Sequence, residues 1–498
     1  MSQRSSRWIG IAGVLSLTGC AVGPDFVRPP LSNNASYEHV AQQGPTVAAA
    51  VSGGNSQSVM VGMDVSAVWW QLFESQELTA LVQEALRGNP DVKAAQAALR
   101  QANELLYANR GGLFPSATVG TSSTREKMAS SSGPTAQLMT VNAASLTVAY
   151  APDVFGGTRR QIEASASQAE YERFQLEATY LTLTANVVNT AINLASIKEQ
   201  IDATQEIIRV QSEALEVMRS RLRLGAVYNA DVLAQEAALA QSRAALPPLQ
   251  KQLDQARSQI TAYLGKFPDE QRAETLRLSN LSLPRQLPLS VPSSLVEQRP
   301  DVRSAEAQLH QASANIGVAT ANQLPQFSIT ASLGSNASRA ADLFSSGTGV
   351  WSLLGSVTQS LFDAGTLRHL KQAAIAAYDE SAARYRGTVG SAFQDVSNAL
   401  NALQVDAQAL EQQVAAEDSA RASLHLTKTQ YRLGSVSYVN LLNAQQTYQN
   451  AVIARVKAQA TRYSDTVALF QALGGGWWNR PDAVAMSSTT SSIETLNP

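Results

Sequence analysis

The sequence is poor in the residues on which most protein chemistry is built. It has one cysteine in 498 residues, which excludes an intrachain disulfide framework and a Cys₂ or Cys₄ metal site. Its four histidines, His39, His310, His369 and His425, are scattered, so no His-rich metal cluster is expected. Charged residues make up only 16%, against roughly 25% in ordinary soluble domains. The 38 Lys+Arg nearly balance the 40 Asp+Glu, which leaves no electrostatic case for a nucleic-acid partner. Hydrophobic residues reach 44%, yet no uninterrupted apolar run approaches the ~18 residues of a spanning helix. That excludes a helical membrane transporter but not a β-barrel, whose strands carry a weaker signal. There is no GxSxG, no phosphate loop and no histidine beside a plausible nucleophile motif. The chain is therefore expected to be neither an enzyme nor a holder of metal or organic cofactor.

What is present begins with an address. Residues 1–19 combine a basic start (Arg4, Arg7) with a short apolar stretch from Trp8 to Leu17, the pattern of an export signal. It ends Leu17-Thr18-Gly19-Cys20, which resembles a bacterial lipoprotein box in which the cysteine is acylated. The alternative is an ordinary signal peptide with a chance cysteine. Several acyl chains, at roughly 0.8 kcal/mol per buried CH₂, would hold the chain on a membrane. In lipoproteins of this kind, Ala21 after the cysteine fits sorting to the outer membrane.

The chain is also written twice, and internal repetition constrains a fold more than any single motif. Asn89-Pro90-Asp91-Val92 returns as Arg299-Pro300-Asp301-Val302, and Pro115 returns as Pro325, an offset of 210. Arg223-Leu224-Gly225 returns as Arg432-Leu433-Gly434 and Leu264-Gly265 as Leu473-Gly474, an offset of 209. Each half reads helix, strand pair, very long helix, break, shorter helix. The first helices are expected over about 75–110 and 293–322, stopped by Pro115 and Pro325.

Period-two alternation marks the strands. Phe327, Ile329, Ala331 and Leu333 oppose Ser328, Thr330 and Ser332. Leu146, Val148 and Tyr150 oppose Ser145, Thr147 and Ala149, and Trp351, Leu353 and Val357 oppose Ser352, Leu354, Ser356 and Thr358, with Leu354 the exception. The facing parity is Ser/Thr rather than charged, which suits a polar lumen with lipid or core behind it. Two ordinary hairpins on a soluble domain would alternate in the same way.

The long helices are more specific. Tyr180, Val187, Leu194, Ile201, Ile208, Leu215 and Leu222 recur every seven residues. Val389, Val396, Leu403, Leu410, Leu424 and Tyr431 hold the same lattice, which fails only at Glu417. Sustained heptads mean coiled-coil packing. Residues 159–223 would extend roughly 95–100 Å at about 1.5 Å per residue, too long for the core of a globule. Gly225 and Gly434 are expected to end these helices, after which a shorter helix returns antiparallel. Pro247-Pro248 is expected to interrupt the returning helix of the first half. Four strands per chain cannot close a barrel, and lipid does not tolerate open edges. If the strands span a membrane, several chains must pool them, and three chains would supply twelve.

Cys20-Ala21-Val22-Gly23-Pro24-Asp25-Phe26 with Pro29, Trp69-Trp70-Gln71-Leu72-Phe73, the Pro-Asp repeats, the paired Arg-Leu-Gly tips and Ala472-Leu473-Gly474-Gly475-Gly476-Trp477 together resemble the TolC/OprM-type outer-membrane channels of tripartite efflux pumps, in their lipoprotein branch. The resemblance implies a mainly α chain with a small membrane β part. It implies a homotrimer with a twelve-stranded barrel in the outer membrane, a long α-barrel through the periplasm and an equatorial collar. It also implies a periplasmic adaptor and an inner-membrane pump, proton-driven, as partners, with the channel itself a passive conduit for small toxic compounds. The domains would be a signal peptide at 1–19, an acylated linker at 20–65, repeats at 66–290 and 291–478, and a Ser/Thr-rich tail at 479–498, with little core in the linker and tail.

The resemblance further implies a gate at the helix tips. An acidic residue of the first tip is tied to a tyrosine closing the second long helix, positions matched by Asp231 and Tyr431. The family's acidic aperture positions fall on Asn440 and Asn443, so Val439, Asn440 and Asn443 are expected to form a polar, uncharged ring. Arg223, Leu224, Gly225, Arg432, Leu433 and Gly434 fall where the adaptor docks, although ordinary helix-end chemistry explains them equally well. Two other readings stand beside this one: a lipid-anchored periplasmic coiled-coil scaffold or adaptor without a pore, and the sister role of such channels in protein secretion. Replacing Cys20 with Ser is expected to abolish metabolic labelling with fatty acid, and persistent labelling would remove the lipoprotein assignment.

Overall fold

The computed structural model describes residues 21–30, 44–128, 137–270 and 276–480. Cys20, the signal peptide and the tail beyond 480 lie outside the described residues. The order is β1 (Ser58–Val61), a 3₁₀ turn at Trp69–Phe73, α1 (Gln76–Gly88), α2 (Pro90–Gly111), β2 (Ser116–Met128), β3 (Gln137–Tyr150), α3 (Gly157–Arg223), α4 (Asn229–Tyr263), β4 (Gln286–Leu289), α5 (Pro292–Gln298), α6 (Pro300–Ala321), β5 (Gln326–Ala337), β6 (Gly349–Thr358), α7 (Thr366–Arg432) and α8 (Tyr438–Ala472). The duplication extends to length: α2 and α6 have 22 residues each, α3 and α7 have 67, and α4 and α8 have 35.

Two expectations are corrected. The first helix of each half is two helices, broken at Asn89 and Arg299. Each of these residues precedes a proline and is extended (φ −60°, ψ 129° and φ −82°, ψ 122°), as the clash with the proline ring requires. Conversely, α4 runs unbroken through Pro247 and Pro248. Both prolines are exposed, as are Arg243 and Ala244, whose carbonyls lose their helical donors to the prolines and can turn to water. Leu246 and Leu249 still pack on the core and hold the segment helical.

The chain forms two compact units, each drawing on both repeats. One comprises residues 21–29, Ala98–Arg173 and Ser304–Arg386. It contains an antiparallel sheet of order β2-β3-β5-β6. In its register Leu146 stands beside Val119 and Leu333, and Leu333 beside Trp351; Val148 stands beside Ala331, and Ala331 beside Leu353. One face thus presents a continuous apolar band, with Val119, Leu333, Trp351, Leu353 and Val357 exposed. On the other face serines meet as predicted: Ser328 and Ser356 hydroxyls lie 2.7 Å apart, and those of Ser332 and Ser352 lie 2.8 Å apart. The N-terminal stretch is strapped to this unit. Arg160 donates to the Val22 carbonyl and to Asp25 (2.7 Å), Arg28 pairs with Glu306, and Phe26 stacks on His310 at 4.4 Å.

The second unit comprises 44–97, Phe174–Arg303 and 387–480. Trp69, stacked on Phe470 at 5.3 Å, centres its core together with Phe73 and Tyr463. Residues 44–65 are not the coreless linker expected. Thr46, Gln57 and Val65 are buried, and β1 pairs in parallel with β4. The two Pro-Asp motifs make matching clasps. Asn89 Nδ2 donates to the carbonyl of Tyr263 (3.0 Å), the last residue of α4, and Arg299 Nη1 to that of Ala472 (3.1 Å), the last of α8. Gly265 (φ +71°) and Gly474 (φ +89°) complete them. A Cβ there would come within 2.4 Å of the Gly88 oxygen or 2.6 Å of the Gln298 oxygen, so only glycine serves.

Arg462, 1% exposed, binds the 44–57 segment to the helices. It donates to the Leu403 carbonyl of α7 (2.8 Å), to Thr46 Oγ1 and to the Asn55 carbonyl. Beside it, burial and the neighbouring Asp406 push the Asp465 carboxyl up to about 7. A carboxyl whose folded pKa is raised adds stability that is fully present below its unfolded value near 4 and is lost as pH rises through the folded value. The thermal midpoint in detergent is therefore expected to fall between pH 5.5 and 8.5, by the equivalent of roughly 2 kcal/mol. Asp465→Asn should flatten that dependence, and an unchanged slope would contradict the assignment.

Candidate gate at the helix tips

Both long helices stop by the same backbone device. After α3, the Gly225 N–H donates to the Leu222 carbonyl (2.9 Å) and the Ala226 N–H to that of Arg221 (2.9 Å). After α7, Gly434 donates to Tyr431 (3.0 Å) and Ser435 to Gln430 (3.0 Å). These are paired Schellman closures with glycine at positive φ (+71° and +76°), as the Arg-Leu-Gly spacing predicts. Each turn leaves a leucine outside: Leu224 is 83% exposed and Leu433 78%. Arg223 donates to Ser220 and Arg432 to Thr429 on their own last turns, both in the open.

The returning helix of the second half is capped by Ser437, whose hydroxyl accepts from the Asn440 N–H. Asn440 and Asn443 are therefore not spent on capping. Both are exposed, as is Val439, and their spacing puts them on one face of the first turns of α8. The opposite face, Tyr438 and Leu441, is buried with Leu215, Met218, Val232 and Leu239.

Asp231 and Tyr431 gather around Tyr438, but no direct hydrogen bond joins them among the described residues. The Tyr431 hydroxyl donates to Met218 Sδ at 3.7 Å, and its ring lies 5.3 Å from that of Tyr438. Tyr438 donates to Gln235 Oε1 (2.5 Å), and Gln235 Nε2 donates in turn to the Gln211 carbonyl of α3 (2.7 Å). Burial first, then the charges of Tyr431 and Asp231, hold the Tyr438 phenol well above its usual pKa, so it stays a neutral donor. Gln235 is fully buried and satisfied, as a buried amide must be. Tyr438 and Gln235 went unnoticed in the sequence. The signal available was a polar Gln235 between the apolar Val232 and Leu239 of a heptad row. The arrangement is a short polar chain running from the second tip through the first hairpin, flanked by one carboxylate.

The sequence model of the outer membrane efflux protein family matches residues 81–266 and again 291–475, two segments that coincide with the internal repeat. The pyoverdine export outer membrane protein OpmQ of Pseudomonas putida is 30% identical over 420 residues, covering 82% of this chain and 88% of OpmQ. The cation efflux system protein CusC of Escherichia coli is 27% identical over 471 residues, covering 93% and 97%. Among solved structures, the outer-membrane channel OprN superposes with a TM-score of 0.81 at 29% identity, covering 92% of this chain and all of OprN. The open state of the Neisseria gonorrhoeae MtrE channel gives 0.77 at 25%, covering 92% and 99%. The chain therefore belongs to the outer membrane efflux protein family.

Proposed function

We propose that this chain is one third of a homotrimeric, passive exit duct. The single observation that carries this reading is the four-stranded sheet: β2 and β6 are its two edges, and its apolar face is uncovered in the chain. Unpaired edges cannot be left in lipid. Three copies joined β6 to β2 would close a twelve-stranded barrel, with the Ser/Thr face turned to water and the apolar band to lipid. A scaffold without a pore has no use for such a sheet. Acylation at Cys20 would tether the copy through residues 21–29, which are strapped to the sheet-bearing unit. A periplasmic adaptor docking on the exposed Leu224 and Leu433 turns, and a proton-driven inner-membrane pump behind it, would supply the work. The relatives' names, which range from pyoverdine to cations, suggest that cargo is chosen upstream of the duct, and small toxic compounds are the cargo class assigned here.

The tips are assigned as the gate. Tyr431, Tyr438 and Gln235 tie the two hairpins together, with Asp231 beside them, and the Asp231–Tyr431 link is proposed as part of the closed state. The bond is not made within the single chain and is proposed to form when the copies close; hydrogen bonds to a charged group contribute roughly 1.5–3 kcal/mol, so its loss would change the open population by about tenfold or more. Asp231→Ala with Tyr431→Phe is expected to raise open probability in planar bilayers by at least that factor; an unchanged closed state would count against the gate. The ring of Val439, Asn440 and Asn443 carries no charge, so the pore should discriminate weakly between cations and anions. Asn440→Asp with Asn443→Asp should turn it cation-selective, as reversal potentials in a salt gradient would report. Equal selectivity before and after would place the constriction elsewhere.

A further inference from the structure

The two hairpins share one plan but not one seam. In α4 the heptad row Val232, Leu239, Leu246, Leu253 and Ile260 is wholly aliphatic. The matching row of α8 reads Leu441, Tyr448, Arg455, Arg462 and Leu469, with guanidinium groups at two consecutive layers. In α7 the same asymmetry appears at Glu417, which occupies the position that Ile208 holds in α3. Glu417 does not interrupt the heptad packing. It is 6% exposed, and one carboxylate oxygen accepts from Arg455 Nε at 2.6 Å while the other accepts from Arg421. Arg455 Nη1 also donates to Gln459 Oε1 at 2.8 Å. One heptad further along α8, Arg462 binds the Leu403 carbonyl of α7.

Such layers behave differently from leucine when helices shift. A partly buried ion pair such as Glu417–Arg455 gives up solvation on closing and regains it when water enters, whereas a parted aliphatic layer loses its burial with nothing returned. Polar layers paired across a seam also select a single register. We infer that the Glu417–Arg455 layer is a positioning element of the gate: it fixes one register of α8 against α7 when the tips are closed, and it lets water into the seam when α8 moves. This rests on the reading of Val439, Asn440 and Asn443, at the start of α8, as the aperture.

The test uses the purified full chain in planar bilayers, with thermal midpoints measured in parallel. Glu417→Ile with Arg455→Leu installs the residues of the first hairpin. It should leave the midpoint equal or higher, yet lower the open probability of the Asp231→Ala/Tyr431→Phe channel at least tenfold. Glu417→Gln alone removes the carboxylate that Arg455 meets on α7, leaving it Gln459 and the charge of Glu199; it should lower the midpoint and raise opening in the otherwise native channel, and Glu417→Asp should restore both. A purely structural layer would move midpoints without moving opening. The inference is overturned if the aliphatic pair opens as often as its parent, or if the Gln variant shifts the midpoint alone. Should the Asp231→Ala/Tyr431→Phe channel itself stay shut, the tip link fails, and the Gln variant in the native background still decides the role of the seam.

Discussion

Backbone hydrogen bonding is the constraint from which the rest of the molecule follows. A strand at a sheet edge offers a row of N–H and C=O groups, and hydrocarbon cannot satisfy them. Here β2 and β6 are such edges, on a sheet whose one face is apolar from Val119 to Val357 and whose other face is lined by hydroxyls. That combination is unstable in water because of the apolar face and unstable in lipid because of the edges. Association of copies within a bilayer would relieve both, pairing the edges and turning the apolar face to lipid. The long helices repeat the argument in another form: their heptad rows pack within the hairpins, but no compact globule can be built around helices of 67 residues.

Duplication gives the two halves matching clasps. Asn89 and Arg299 each end one helix, start the next, and reach the last carbonyl of the returning helix, with Gly265 and Gly474 allowing the close approach. The clasps are alike in geometry and unlike in charge. Asn89 is neutral, whereas Arg299 also holds Asp301 and Asp395. The same drift from neutral to charged runs through the hairpin seams, from Ile208 to Glu417 and from Leu246 to Arg455. The two halves share one backbone plan, and at these matched positions the second carries charge where the first is neutral.

Much of this architecture is legible in the sequence. The extent of the first long helix, the strand pairing and the repeat of one plan in both halves followed from heptads, alternation and the fixed offset, because those patterns record burial directly. The glycine closures followed from a backbone conformation that few other residues adopt. The misreadings have local causes. The breaks at Asn89 and Arg299 were passed over because the helical pattern continues on both sides of Pro90 and Pro300. The Pro247-Pro248 pair looked like a stop, yet exposed carbonyls and the packing of Leu246 and Leu249 carry the helix through. Residues 44–65 looked featureless because their ties are long-range: Arg462 lies more than 400 positions from Thr46 and Asn55, and sequence spacing cannot express such a contact. At the tips, Asp231 and Tyr431 were reached through family resemblance, while Tyr438 and Gln235, which make the hydrogen-bonded chain between hairpins, carry no motif at all.

The most direct measurement of the central claim is the mass of the purified, detergent-solubilised protein by native mass spectrometry. The account predicts three copies in one particle that cannot be kept in solution once the detergent is withdrawn. A single copy that remains soluble without detergent, even after its lipid has been removed, would contradict it.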